Sequence, residues 1–301
     1  MISTALLRAN RILPFPARAG SPANARVPRI QFLQATRWPD VQGAFALLYR
    51  NYLRRGLIGP DPVGLRFTVH NLLPESATFA AKIPGRVVAT FSVIPDTAPL
   101  GLPMEALYAS ELARLRSQGR RPAEVSGLAV DPAFRPISLL LILNLVRMLY
   151  AYARATKVTD LVVACHPRHA RLYERLFLFE PFGPLRTYRA VNDAPAVALR
   201  LDLSHVQDRY LCAYGDASLY RFFFVDRVFD RPGVPIGAGA MTKAACRRLL
   251  SVRPEFLALL EEKAPDLLKQ ISGWSPRKNH PKQLVLPFLA SPSPSPGFLP
   301  V

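Results

Sequence analysis

Between Glu124 and Phe182 a short β-rich run, a long apolar helix, a second β-rich run and an Arg-rich helix follow one another without interruption. No other stretch constrains the fold as much, because strands that alternate with helices build a sheet with helices packed on its faces. The first run reads Glu124-Val125-Ser126-Gly127-Leu128-Ala129-Val130 and passes through Asp131-Pro132 to a turn at Arg135-Pro136. An apolar stretch from Ile137 to Ala153 then carries Asn144, Arg147 and two tyrosines among its aliphatic residues. It is shorter than the roughly 20 residues of a spanning helix and charged near its middle, so a buried core helix is expected.

The remaining pattern extends the same architecture. Arg29 to Thr36 alternates apolar and polar residues as a half-buried strand does, and Pro39 opens a helix that Gly56 stops. Thr78 to Ile83 and Arg86 to Ile94 are β-rich runs around Pro84-Gly85, which predicts a hairpin. Pro103 starts a helix through Gln118, with Gly119 after it. The long helix runs from Ile137 to Thr156, and Asp160 to Cys165 is a Val-rich buried strand. The Arg-rich helix, Arg168 to Leu178, places Ala170, Tyr173, Leu176 and Phe177 on one face and ends into Phe179-Glu180-Pro181-Phe182. Tyr188 to Ala190 and Ala194 to Leu203 close the series as strands around Asn192-Asp193. Past Asp202 the pattern turns helical, with Thr242 to Val252 capped by Thr242 and Pro254 to Ile271 begun by Pro254. A mixed α/β sheet flanked by helices follows from periodicity alone.

With 301 residues, half of them apolar, the chain can bury a full core. The expected organisation is a disordered basic tail over 1–29, an α/β domain over 30–203, a helical extension over 204–273 and a disordered Pro/Ser-rich tail over 274–301. Three cysteines are too few for a disulfide framework, which points to a reducing compartment and hence the cytoplasm. The apolar stretches of the first 30 residues are too short for a secretory signal. The net charge of +18, from 39 basic against 21 acidic residues, draws polyanions such as nucleic acid, anionic lipid or an acidic carrier protein. The basic residues are scattered, however, which suits a solvated shell equally well. No helix-turn-helix or RNP-like aromatic pattern occurs, so nucleic acid is not the expected partner, while peripheral membrane contact stays open.

The motifs then point to a family. Val130-Asp131-Pro132-Ala133-Phe134-Arg135 before the long helix, and Leu172-Tyr173-Glu174-Arg175-Leu176 before Phe179-Glu180, resemble the GNAT acyltransferase superfamily. Within it, five segments resemble the FeeM-type N-acyl amino acid synthases, relatives of the acyl-homoserine lactone synthases. They are Leu47-Leu48-Tyr49-Arg50-Asn51-Tyr52 with Gly56-Leu57-Ile58; Gly101-Leu102-Pro103-Met104; Gly119-Arg120-Arg121-Pro122-Ala123-Glu124-Val125-Ser126; Pro167-Arg168-His169; and Ala190-Val191-Asn192-Asp193-Ala194-Pro195-Ala196-Val197. The likeness spans about residues 30 to 203. It implies a GNAT-like α/β (α+β) fold and transfer of a long-chain acyl group from acyl carrier protein, or CoA, to the amine of an amino acid. The donor would be an acyl-phosphopantetheine thioester, with no tightly bound cofactor.

Acyl transfer to an amine needs a base for the ammonium proton, donors for a tetrahedral oxyanion and an acid for the departing thiolate. Glu124 corresponds to the Glu of the family's Glu-Val/Ile-Ser motif; flanked by Ala123 and Val125 at a sheet cleft, it is expected to have a raised pKa. The bland alternative is a salt bridge to Arg120 or Arg121. Leu128, Ala129 and Val130 hold the positions where the superfamily's central strand bulges and pairs with pantetheine, and Gly127 eases such a bulge. Tyr173 matches the superfamily's thiolate-protonating tyrosine or is simply a core aromatic. The resemblance adds Tyr49 and Tyr52 as substrate contacts.

The phosphate turn departs from the superfamily's Gly-rich form: in Arg135-Pro136-Ile137-Ser138-Leu139-Leu140 both small positions are filled, by Ser138 and Leu140. That argues against a CoA diphosphate and is compatible with the single phosphate of a carrier-bound arm, with Arg135 either to meet it or as a solvated arginine at the helix start. Arg168, Arg171 and Arg175 form one stripe, either a dock for an acidic carrier or a solvated face. Cys165, His166 and His169 offer too few ligands for zinc, so no metal is expected, and His169 is expected to cap or pack at its helix start. Leu48 and Gly127 stand where related synthases carry arginine, which leaves open a changed acceptor or a non-catalytic acyl-carrier or lipid-binding relative. A CoA-dependent N-acetyltransferase is the other alternative. Phe222-Phe223-Phe224 reads as packing or as the lining of an acyl tunnel.

Overall fold

Seven strands form one sheet in the order β1-β2-β3-β4-β5-β7-β6. They are β1 (Gln31–Gln34), β2 (Ala77–Ile83), β3 (Arg86–Pro95), β4 (Pro122–Val130), β5 (Asp160–Cys165), β6 (Glu180–Tyr188) and β7 (Ala194–Asp202). The computed structural model describes residues 30–214, 218–225 and 240–273; the two expected disordered tails lie outside the described residues. Every neighbouring pair is antiparallel except β4 and β5 at the centre. A parallel pair needs a crossover, and the long helix α3 (Ser138–Thr156) supplies it.

Both faces of the sheet are covered, which is why Val87 to Ile94 of β3 are buried without a break. On one face Phe79, Phe91, Val125, Leu161 and Leu199 pack against Leu141, Leu145, Met148 and Leu149 of α3. On the other, α1 (Trp38–Arg54) lays Leu47 and Leu48 on Ala80, Val87 and Ala129. There too α2 (Glu105–Ser117) sets Tyr108 and Leu112 against Ile94, Val162 and Ala198. The alternation of side chains along each strand divides the two sets. Pro132–Thr156 is long and apolar enough to cross a membrane by length and composition, yet α3 serves here as a core helix. Its Arg147, 6% exposed, rests 4.5 Å from the centroid of the Phe222 ring.

The α4 helix (Pro167–Phe177) joins α3 on its face through Tyr173, Leu176 and Phe177. Beyond the sheet, α5 (Val206–Tyr214) and a turn at Arg221–Val225 seat Tyr210 and Phe222 to Phe224 in the same core. The helices α6 (Lys243–Val252), α7 (Pro254–Lys263) and α8 (Pro265–Ser272) build a second core on the outer side of α1, where Leu249, Leu260 and Leu268 meet Val41, Phe45 and Phe67.

Two segments depart from the sequence expectation. The helix expected over Pro254 to Ile271 is two, α7 and α8, because Pro265 has no N–H to continue the ladder. The strand expected over Tyr188 to Ala190 is instead β6, running from Glu180 to Tyr188, with Arg189–Val191 a 3-10 turn. Pro181, Gly183 and Pro184 hide that strand from a propensity reading, but β6 lies at the sheet edge, where missing donors are tolerated. Gly183 is also required for space: a Cβ there would sit 2.6 Å from the Tyr108 ring.

Candidate active site

Glu124 stands in the middle of the sheet, in register between Ile94 of β3 and Val162 of β5, and is 4% exposed. Its side chain shares the α1/α2 face with those two residues. The Met104 backbone N–H donates to its Oε2 at 2.7 Å, and the Ser126 hydroxyl also donates to it. Burial outweighs both bonds and lifts the carboxyl to about 8. The bland alternative of an ion pair with Arg120 does not occur. Arg120 reaches Asp160 and Asp202, each at 2.6 Å, and no ion pair to Glu124 is present among the described residues. The loop that carries Met104 is braced by Arg116, which bonds Glu105 at 2.5 Å and Asp96 at 2.7 Å.

Just past Glu124 the sheet opens. Pairing of β4 with β5 covers Pro122 to Glu124 and stops, so Val125 to Val130 have no β5 partner. On the β3 side the register slips between Thr90 and Ser92, where β4 carries one residue more, and Gly127 takes φ +69°. This is a bulge with its glycine in the left-handed region, and it re-aims the strand. Leu128 beyond it turns to the α3 face and lines a narrow apolar pocket with Val125, Ile142, Val146, Tyr150 and Tyr173. Tyr173 is buried and packs edge-on against Phe179 at 5.4 Å; burial pushes its hydroxyl well up, so it stays protonated. The splay therefore joins a carboxylate on one face to an apolar pocket on the other.

The α1/α2 face sets Tyr52 and Tyr188 within reach of the Glu124 charge, with Arg66 beside the two tyrosines. Burial raises both phenols, Tyr188 to about 12, and the Glu124 charge adds to each. The Tyr188 hydroxyl donates to the Pro103 carbonyl at 3.2 Å. Arg66 places its guanidinium 5.7 Å from the centroid of the Tyr52 ring and donates to the Ala190 carbonyl at 2.9 Å. Tyr49 is turned elsewhere: its hydroxyl accepts the Asp61 N–H at 2.9 Å. The two positions where related synthases carry arginine touch each other, since a Cβ on Gly127 would lie 2.9 Å from Leu48 Cδ2.

The remaining candidates lie apart. Arg135 is exposed in the 3-10 segment Pro132–Ile137, and Ser138 is the first residue of α3. Arg168, Arg171 and Arg175 are exposed along α4. Arg55, at the end of α1, has its pKa lowered by burial and by the Arg168 and Arg54 charges, so the basic stripe continues onto α1. The cap of α4 is His166, whose Nδ1 accepts the Arg168 N–H at 3.2 Å; His169 falls inside the helix and contacts the Arg168 guanidinium. Burial holds the Cys165 thiol up at about 12, which leaves it a poor nucleophile. Among the described residues no His, Cys, Asp and Glu side chains gather as a metal-binding group.

Sequence reasoning missed Tyr188 and the Met104 N–H as neighbours of Glu124, and Arg66 beside Tyr52 and Tyr188. Arg66 carries no motif, and Tyr188 belongs to the strand whose prolines concealed it. Met104 lies in a quoted segment, but a backbone donor leaves no trace in residue type.

Comparison with known proteins identifies the family and the fold. The family model of the N-acyl amino acid synthase FeeM matches residues 43–202. Among solved structures, FeeM, an N-acyl amino acid synthase from uncultured soil microbes, superposes with a TM-score of 0.55 at 28% identity, covering 63% of this chain and 99% of that one. The CoA-dependent acyl-homoserine lactone synthase BjaI gives a TM-score of 0.45 at 17% identity, covering 64% of this chain and 97% of its own. The lactone synthase LasI gives 0.43 at 17% identity, covering 62% and 94%. No curated protein matches the sequence. With a family match over more than half of its length, laid on a GNAT-like mixed sheet, the chain belongs to the FeeM family of N-acyl amino acid synthases and is an N-acyltransferase.

Proposed function

We propose that the enzyme transfers a long-chain acyl group from the phosphopantetheine arm of an acyl carrier protein to the α-amine of an amino acid by direct attack. The observation that carries this reading is Glu124 itself: buried, without a cationic partner among the described residues, lifted to about 8, and set beside the unpaired edge of β4. A carboxyl poised near neutrality is a suitable general base.

In this reading the donor enters the splay. Its chain enters the narrow apolar pocket on the α3 face by parting the side chains that line it, and the acceptor approaches from the Glu124 side. Glu124 takes the ammonium proton, the amine nitrogen forms the C–N bond, and the carbonyl oxygen becomes an oxyanion. Backbone N–H groups of Leu128, Ala129 and Val130 that face the splay receive it. The oxyanion then re-forms the carbonyl as the C–S bond breaks, the protonated Tyr173 gives its proton to the leaving thiolate, and the second proton on nitrogen passes to the Tyr173 oxygen, leaving a neutral amide. Arg66 meets the acceptor carboxylate, in place of the arginines that Leu48 and Gly127 have replaced, and Tyr52 and Tyr188 flank the acceptor.

Arg135 meets the single phosphate of the carrier arm. The Ser138 and Leu140 side chains, with Pro136, leave no Gly-rich turn for a diphosphate. Arg168, Arg171 and Arg175, with Arg55 beside them, dock the acidic carrier in the cytoplasm.

The test is mass spectrometry of lipid extracts from cells expressing the wild-type chain or Glu124→Gln. A new N-acyl amino acid with wild type alone supports the reading and names the acceptor. Extracts that both match the empty vector, with soluble protein, overturn it. Purified enzyme given matched acyl-carrier and acyl-CoA donors then separates the two thioesters, and preference for CoA overturns the carrier assignment.

A further inference from the structure

The apolar pocket under Leu128 is one of two cavities that meet at a single side chain. Tyr150 of α3 closes the first, a space of about 20 Å³, and also forms a wall of the second, about 220 Å³, with Ala153, Arg154, Val158, Leu203 and Phe224. Both cavities lie along α3. At 1.5 Å of rise per residue, Ile142 to Tyr150 is about 12 Å, and Tyr150 to Lys157 at the far rim is a further ~10 Å. The second chamber thus continues the line of the first.

The Tyr150 ring is held in place between them. It is 2% exposed, and its hydroxyl lies 3.2 Å from that of Tyr210, which donates to the Leu176 carbonyl at 3.0 Å. Phe223 packs edge-on against it at 5.3 Å and Phe224 lies tilted to it at 4.9 Å. A ring clamped on its tip and both sides has no free rotamer to swing into.

We infer that Tyr150 is the partition that ends the acyl pocket and so sets the longest chain the enzyme transfers, with a second, open-sided chamber behind it. This rests on the proposal that the first pocket receives the acyl chain. A donor tail that reaches Tyr150 must stop or displace the ring from its clamp. Removing the ring fuses the two cavities, and a longer tail then gains buried methylenes.

The experiment uses the full-length chain and compares products of wild type, Tyr150→Ala and Tyr150→Phe by mass spectrometry, with a graded series of saturated acyl-carrier thioesters as donors. Tyr150→Ala is expected to move the product distribution to longer chains, by about fourfold in favour of the longer donor for each added methylene that becomes buried. Tyr150→Phe keeps the ring and is expected to keep the wild-type distribution. Adding Ala153→Phe to Tyr150→Ala refills the chamber and is expected to restore the shorter products. Should Tyr150→Ala fail to fold, Tyr150→Leu removes most of the ring and Phe224→Ala loosens its clamp; both are expected to lengthen the products. An active ring-deleted variant with the wild-type chain-length profile overturns the partition. A wild-type enzyme that makes no N-acyl amino acid from any donor overturns the proposed function instead, so the two failures are distinct.

Discussion

Glu124 owes its character to position. Its neighbours in register are Ile94 and Val162, so the carboxyl meets the sheet's apolar interior with one backbone N–H and one hydroxyl for company. Glu124→Gln preserves shape and removes the proposed base, and we expect kcat to fall about 10²- to 10⁴-fold in a steady-state assay, with folding intact by circular dichroism. For wild type, kcat/KM should rise with pH to a plateau with a midpoint about 8, because the working form is the carboxylate. Stability runs the opposite way. The folded pKa lies above the unfolded value of 4.5, so the native state holds more protons between 4.5 and about 8 and loses this contribution as pH rises through that window. Denaturant titrations at successive pH values should show Glu124→Gln gaining on wild type as pH rises from about 4.5 to about 8 and levelling off above that. Gly127 is the second decisive residue. Gly127→Ala puts a Cβ at φ +69° and 2.9 Å from Leu48, and a loss of about 1–2 kcal/mol should appear as a lower Tm, together with reduced turnover.

At the scale of elements, the opening between β4 and β5 is the device that makes a packed sheet into a site. One extra residue in β4 re-aims the strand, pairing with β5 ceases after Glu124, and the unpaired edge falls between the carboxylate and the apolar pocket. The helix α4 contributes in two directions. Its inner side delivers Tyr173 to the pocket, while its outer side exposes Arg168, Arg171 and Arg175. If that stripe docks a carrier, replacing all three arginines with glutamate should raise KM for the acyl-carrier donor at least tenfold at low salt and leave acyl-CoA kinetics unchanged. Equal loss with both donors would place the arginines in the shared site rather than at a docking surface.

Across the whole molecule, α1 is the shared wall. Leu47 and Leu48 press on the sheet, while Val41 and Phe45 face the second core built with α6 to α8. The C-terminal helices therefore buttress the helix that carries Tyr52. Leu249→Ala, at a site with no exposed surface, should cost about 2–5 kcal/mol, read as a drop in denaturation midpoint, without changing the acceptor preference of the enzyme that remains folded. Much of this was legible in the chain. The hairpin at Pro84-Gly85, the long core helix after Arg135, the Thr242 cap and the Glu-Val-Ser motif each rest on local chemistry, which a sequence carries directly. The edge strand was not, because Pro181, Gly183 and Pro184 are acceptable only where one side of a strand lacks a partner, and edge position is a property of the sheet. By itself the sequence determined most of the order of strands and helices, the family and the motif position proposed for the base, since periodicity and motif spacing are properties of neighbours along the chain. Only the tertiary structure decided that Arg120 goes to Asp160 rather than Glu124, that Tyr52 and Tyr188 come near Glu124 with Arg66 beside them, that Leu48 meets Gly127, and that Tyr150 lines two cavities. Burial and contact between distant residues exist only once the chain has closed on itself.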